Sequence, residues 1–142
     1  MLFRSVEPLG FSICSLSSKR EAVEAIHATG GEPVFRLTHD TFHHHLAGEP
    51  ALFPELTGLV HISGVSDPDV SLREMRDPHR VLIDQRDRIG NIEQIAALLH
   101  RGYRGPFSFE PFAAELRALS DPAAAIGRSI DFIRATLAEK AA

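Results

Sequence analysis

Short apolar runs alternate with amphipathic helical patterns along the chain, and this alternation restricts the possible fold more than any other feature. Five runs are typical of β-strands, at residues 2–6, 33–39, 58–65, 80–84 and 105–112. Four segments have helical spacing of apolar residues, at 17–31, 67–77, 90–103 and 121–142. Strands that are apolar on both faces and alternate with helices favour a parallel sheet. The pattern therefore predicts an α/β fold, either an open doubly wound sheet or part of a β/α barrel.

The ends of two of these helices carry clear signals. Ser17 or Ser18 can cap the first helix, with Glu21 near the capping-box position. Asp121 precedes Pro122 at the start of the last helix, which is the position in a helix where proline is best tolerated.

Composition narrows the class of protein. A chain of 142 residues suits one domain, residues 1–142, and its net charge of -4 argues against nucleic acid or an anionic membrane as the main partner. The single cysteine, Cys14, allows no intrachain disulfide, so we expect a cytoplasmic location. No apolar run approaches the roughly 20 residues that span a bilayer. No glycine-rich phosphate loop follows a strand, which weakens a nucleotide-binding interpretation.

Acidic residues or histidine stand at the carboxyl ends of the predicted strands. Glu7 and Glu110 each precede a proline that ends a strand, because proline has no N–H to donate. Asp40 and Asp84 end two further strands, and His61 lies in the third. In parallel β/α folds this edge of the sheet is where chemistry takes place. Taken singly, Asp84 could cap a helix and His61 could be a core residue.

Two glutamates, an aspartate and a histidine are ligands that suit Mn²⁺, Mg²⁺, Co²⁺ or Zn²⁺. A structural zinc is not expected because the set contains no cysteine. The sequence therefore predicts one divalent ion with an open position that can polarise a carbonyl or hydroxyl.

The stretch LTHDTFHHHL, residues 37–46, holds four of the chain's eight histidines. By composition alone, His43, His44 and His45 are typical of a solvated turn.

The motifs HDTFHH, LVHISGV and GYRGPFSFEPF, in this order, resemble the xylose isomerase-like TIM-barrel superfamily. This group contains sugar phosphate isomerases and epimerases, inosose isomerases and dehydratases, and apurinic endonucleases. The resemblance covers the whole chain as the C-terminal portion of the barrel, approximately strands four to eight with their helices. It implies a partial (β/α)8 TIM barrel and is strongest toward the inosose isomerase-like members.

The resemblance also implies roles for particular residues. Glu7, Asp40, His61 and Glu110 match the metal ligands of the superfamily. Glu7 and Glu110 also match the glutamates that exchange the proton in its isomerases and epimerases. His43 matches a position that contacts substrate. By the same comparison, His39, His44 and His45 are supporting or surface residues.

The sequence departs from the superfamily pattern in two respects. Its epimerases often carry an arginine shortly after the strand-six histidine, where this chain has Asp67, and Arg86 on the next loop is expected to contact substrate instead. A full barrel takes about 250 residues, so this chain would leave bare sheet edges and exposed apolar faces. Either the chain is a fragment, or it forms a homo-oligomer that covers the missing strands.

The sequence thus predicts a metal-dependent isomerase or epimerase of a small sugar or keto-polyol, such as an inosose, acting by proton transfer next to a carbonyl. An inosose dehydratase-type lyase would use the same ligands, and a truncated, non-catalytic fragment would retain them without activity. An apurinic endonuclease would need more metal ligands and a basic face, which the acidic net charge disfavours.

Overall fold

A computed structural model describes residues 3–141. Leu2 and Ala142, which the outermost predicted elements include, lie outside this range. The strands are β1 (Arg4–Val6), β2 (Phe35–Asp40), β3 (Thr57–Ile62) and β4 (Phe107–Phe109). The α-helices are α1 (Lys19–Ala28), α2 (Thr41–Ala47), α3 (Asn91–His100) and α4 (Pro122–Ala141). Two short 3-10 helices span Asp77–His79 and Ala114–Ala118.

The four strands form one sheet in the order β1-β2-β3-β4, and every neighbouring pair is parallel. Strands that neighbour one another in chain order, with helices between them, build the wall of a β/α barrel. The prediction of an α/β fold that forms part of a TIM barrel is therefore confirmed. Within residues 3–141, the outer edges of β1 and β4 have no strand partner.

The predicted strand at 80–84 is wrong. Val81 makes only an isolated antiparallel bridge to Gly64, and β3 pairs directly with β4. The backbone oxygen of Arg80 accepts hydrogen bonds from the N–H groups of Phe112 and Ala113, so this segment is tied to a loop instead of a ladder. Ile83 is nevertheless fully buried, which explains why the run looks like a strand.

The predicted helix at 67–77 does not form either. Ser71 N–H and Oγ–H both donate to Glu74 Oε2, and Asp67 Oδ1 accepts from the N–H of Asp69. Such local side-chain bonds compete with the helical backbone pattern and hold the segment in turns.

Helix α2 occupies the histidine-rich stretch, whose composition alone favours a solvated turn. Asp40 caps it by accepting hydrogen bonds from two backbone N–H groups, and Gly48, with φ of 62°, ends it. Phe42 on this helix is fully buried. The cap and this burial stabilise a helix whose three consecutive histidines have low intrinsic propensity.

Helices α1, α3 and α4 cover one face of the sheet. Leu37 of β2 packs on the apolar side of α1, and the caps predicted at Ser18 and Asp121 are both present. The larger core joins β3 to α3 and α4 and contains Leu52, Val60, Ile62, Ile83, Ile92, Ile95, Leu98, Tyr103 and Ile133.

No helix within residues 3–141 is both long and apolar enough to cross a membrane. The opposite face of the sheet, where Ser5 and Thr38 share a hydrogen bond, carries the candidate site.

Candidate metal centre

Four side chains meet at the carboxyl edge of the sheet. Each belongs to one of the four strands or to the residue that directly follows it. Glu7 follows β1, Asp40 ends β2, His61 is the penultimate residue of β3, and Glu110 follows β4. One ligand atom from each lies within 4.8 Å of the other three. The structure thus brings together the four residues that the sequence analysis assigned as metal ligands.

The strand register explains why they meet. Asp40 and His61 are directly paired across β2 and β3. The N–H of Glu110 donates to the carbonyl of Ile62 at 2.9 Å, which places the Glu110 side chain beside His61. Side chains of paired residues in neighbouring strands point to the same face. The register therefore places Asp40 beside His61, and the longer side chains of Glu7 and Glu110 reach the same point from the neighbouring strands.

His61 lies between the two glutamates. Its Nδ1 is 3.1 Å from Glu7 Oε1 and 3.3 Å from Glu110 Oε1. Both neighbours are carboxylate oxygens, so the tautomer with a proton on Nδ1 can donate to them. Burial raises the pKa of Glu7, and the nearby charge of His61 opposes that effect. A cation bound at Nδ1 would displace its proton.

Asp40 is held at both carboxylate oxygens. Oδ1 accepts the N–H groups of Phe42 at 2.8 Å and His43 at 3.0 Å, which is the cap of α2. Oδ2 accepts from Arg80 Nη2 at 2.5 Å. The side chain is fully buried, and its carboxylate therefore has a fixed direction.

Arg80 is a member of the site that the sequence analysis missed. Its side chain is 1% exposed, and Nη2 also donates to Glu110 Oε2 at 2.9 Å. The guanidinium carbon lies over the rings of both Phe42 and Phe112, 5.0 and 4.9 Å from their centroids. The sequence pattern predicts Arg80 as the first residue of a strand, and no local pattern distinguishes it from the other arginines of the chain.

His43 is buried beside the cluster, with Phe11 edge-on to its ring at 5.2 Å. Burial lowers its pKa to about 4, and the charge of Arg80 acts in the same direction. The imidazole is therefore neutral at pH 7. Its Nδ1 is buried and has no hydrogen-bond partner among the described residues.

Arg86 lies apart from these contacts. Its side chain is 67% exposed and pairs with Asp84 at 2.6 Å, and none of its hydrogen bonds reaches the four-residue cluster. The hydrogen bonds of Asp67 also stay within its own region: Oδ1 accepts from Asp69, and its carbonyl accepts from Arg88. The expected contact between Arg86 and substrate remains a prediction.

Two other histidines of the stretch belong to a separate buried network. Lys19 Nζ contacts His39 Nδ1 at 3.1 Å and His44 Nδ1 at 2.5 Å. His39 Nε2 donates to Gln94 Oε1 at 3.0 Å, and the Gln94 amide donates to the carbonyl of Thr41. This network joins α1 to β2, α2 and α3.

The chemistry of the donor set fits a divalent cation. Three carboxylates and an imidazole are hard to borderline ligands. Ligand atoms at about 2.0–2.2 Å from one ion lie about 3–4 Å from one another, and those of this cluster already lie within 4.8 Å, so small side-chain movements would suffice for coordination.

A wall of parallel strands and helices with such a cluster at its carboxyl edge is typical of β/α-barrel proteins, and the cluster is a candidate metal site. The sequence model of the family described as "Xylose isomerase-like TIM barrel" matches residues 5–136. The chain belongs to this family.

One solved structure supports the assignment. It is a xylose isomerase domain containing protein from Salmonella typhimurium LT2, with 34% sequence identity and a TM-score of 0.82. The match covers 94% of this chain and 49% of that one, so the chain spans about half the length of this relative. Comparison with curated proteins gives no match.

Proposed function

We propose that the protein is a metal-dependent isomerase or epimerase that transfers a proton next to a carbonyl group of a small sugar or keto-polyol. The observation that carries the proposal is the cluster of Glu7, Asp40, His61 and Glu110 within 4.8 Å. Membership of the xylose isomerase-like family makes sugar isomerase or epimerase chemistry the natural use of such a cluster.

Bound at the cluster, one Mn²⁺, Mg²⁺, Co²⁺ or Zn²⁺ ion would polarise the carbonyl and hydroxyl oxygens of the substrate. Glu7 removes the proton from carbon, and Glu110 returns one. Glu7 is suited to the first role because burial raises its pKa and because its only hydrogen-bond partner among the described residues is His61. Glu110 is also bound by Arg80, which restricts its movement.

His43 orients the substrate in this proposal. A neutral imidazole can donate one hydrogen bond to a substrate oxygen without adding a positive charge beside the ion. The pKa of about 4 keeps it neutral throughout the neutral range.

An inosose-like keto-polyol is the substrate class that we propose, with residues 1–142 acting as one domain that corresponds to the C-terminal portion of the barrel. The open edges of β1 and β4 would be covered by a second copy of the chain. Light scattering measures the oligomer directly, and a stable monomer would contradict this part of the proposal.

The test of function is exchange of substrate hydrogen with solvent. The purified chain with Mn²⁺ is incubated with keto-inositols and ketoses in D₂O, and deuterium at the carbon next to the carbonyl is followed by NMR. We expect incorporation that Glu7→Gln abolishes and that the exposed Glu115→Gln retains. A dimer that binds metal without any exchange would contradict isomerase chemistry, and absence of bound metal would contradict the site.

A further inference from the structure

We propose that Arg80 is a built-in counter-ion of the metal centre: it holds Asp40 and Glu110 together in the metal-free protein and weakens binding of the divalent ion by competing for their oxygens. This inference rests on the metal site of the proposed function. It concerns how tightly that site binds its ion, and not the reaction.

The contact that carries the inference is a single nitrogen shared by two carboxylates. Arg80 Nη2 lies 2.5 Å from Asp40 Oδ2 and 2.9 Å from Glu110 Oε2. Without a positive charge between them, two carboxylates this close would repel each other, because Asp40 is buried and Glu110 is only 30% exposed. Arg80 therefore supplies part of the positive charge that a metal ion would bring to these two carboxylates.

The guanidinium is fixed in this place. Arg80 Nε donates to Ser63 Oγ at 2.9 Å, and Nη1 reaches Asp77 Oδ1 at 3.3 Å. The rings of Phe42 and Phe112 also lie near the guanidinium carbon, at 5.0 and 4.9 Å. The positive charge therefore cannot swing away from the two carboxylates without breaking several contacts.

The fixed positive charge of Arg80 disfavours binding of a divalent ion at the same carboxylates. An oxygen that donates a lone pair to the ion binds the guanidinium less well, and the two cations repel across a few ångströms. Arg80 thus stabilises the metal-free state more than the metal-bound state. An arginine that serves only to pack the fold would stabilise both states equally, and this difference makes the proposal testable.

The experiment compares wild type with Arg80→Met, Arg80→Lys and the exposed control Arg104→Met. Affinity for Mn²⁺ is measured by calorimetry, and thermal unfolding is followed with and without Mn²⁺. We expect Arg80→Met to unfold earlier without metal, to bind Mn²⁺ on the order of tenfold or more tightly, and to gain more stability from the ion than wild type does. Arg80→Lys keeps the charge and should bind within about threefold of wild type. Arg104→Met should match wild type.

A second measurement covers the case in which Arg80→Met does not fold. In wild type, the guanidinium ¹⁵N–¹H resonances of Arg80 are followed by NMR during titration with Zn²⁺, and Arg104 serves as the internal control. We expect the Arg80 signals to shift and to exchange faster with water once one ion is bound, because the carboxylates are then shared.

Three results would overturn the proposal. One is unchanged or weaker Mn²⁺ binding by Arg80→Met. Another is Arg80 resonances that do not move on stoichiometric Zn²⁺. The last is the absence of ion binding by wild type and by all variants; this result alone refutes the metal site as well, so the two failures are distinguishable.

Discussion

Replacement of Lys19 by methionine should remove a specific pH dependence of stability. The Lys19 side chain is buried between two histidines and is one of only two lysines in the chain, the other being Lys140. Burial lowers the pKa of Lys19 from 10.5 to about 8, against the opposing charge of Glu49. The histidines stay neutral, because burial lowers the pKa of His44 to about 3 and that of His39 well below its usual range.

The sign of the effect follows from where the proton binds. Between pH 8 and 10.5 the unfolded chain keeps the Lys19 proton and the folded protein releases it, so stability rises with pH in this window. From pH 7.5 to 9.5, the shift corresponds to about 2 kcal/mol of added stability. The Tyr103 hydroxyl, whose pKa burial raises to about 12, acts in the opposite direction only near and above pH 10.

Urea unfolding at pH 7.5 and 9.5 measures the effect. At pH 7.5 we expect Lys19→Met to lie within about 2 kcal/mol of wild type, because loss of the hydrogen bonds to His39 and His44 is offset by removal of a buried charge. At pH 9.5 wild type should have gained about 2 kcal/mol relative to this variant. The control Lys140→Met removes a lysine that pairs with exposed Glu93 and should follow wild type at both pH values. Equal pH dependence in Lys19→Met and wild type would refute the reasoning.

Three further outcomes are expected. Glu110→Gln should lower the affinity for Mn²⁺ at least tenfold by calorimetry, since an amide oxygen carries no charge, and a change below twofold would contradict its role as a ligand. Gly10→Ala places a Cβ 2.1 Å from the carbonyl oxygen of His43 and should lower the free energy of unfolding by about 1–3 kcal/mol, whereas a Cβ at Gly127 meets nothing within 4 Å and Gly127→Ala should be neutral or stabilising in the same urea titration. Acid should destabilise the fold because the pKa of His43 is lowered to about 4 and that of His44 to about 3. Below pH 6.5 the unfolded chain therefore binds protons that the folded protein does not bind. Each of these two histidines then removes about 2–3 kcal/mol by pH 4.5, and His39 and His45, whose pKa values burial also lowers, add to the fall, so His44→Gln should reduce it by about a third or less.

The ligand cluster was predictable because strand ends are visible in sequence. Proline after Glu7 and after Glu110 marks the end of each strand, and parallel strands bring such ends to one edge. The apolar run at 58–65 likewise indicated β3 without any knowledge of its neighbours. These features depend on local chemistry and on a general rule of parallel sheets.

Other features depend on contacts between distant segments, and sequence reasoning failed there. The run at 80–84 has the composition of a strand, yet its backbone bonds to Gly64 and to the loop after β4. Helix α2 begins after Asp40, and the Asp40 carboxylate both caps this helix and pairs with the distant Arg80. The amino-acid sequence around Asp40 does not show that one carboxylate has both functions.

The location of the ligands has a consequence for how the chain can act. All four come from the four strands that the structure describes, although the match covers only 49% of the solved relative. In a barrel, the strands beyond the β1 and β4 edges would face this cluster across the centre. They would close the substrate chamber without supplying any of these four ligands. We therefore expect binding of a divalent ion to require only these strands, and turnover of substrate to require also whatever covers the two open edges.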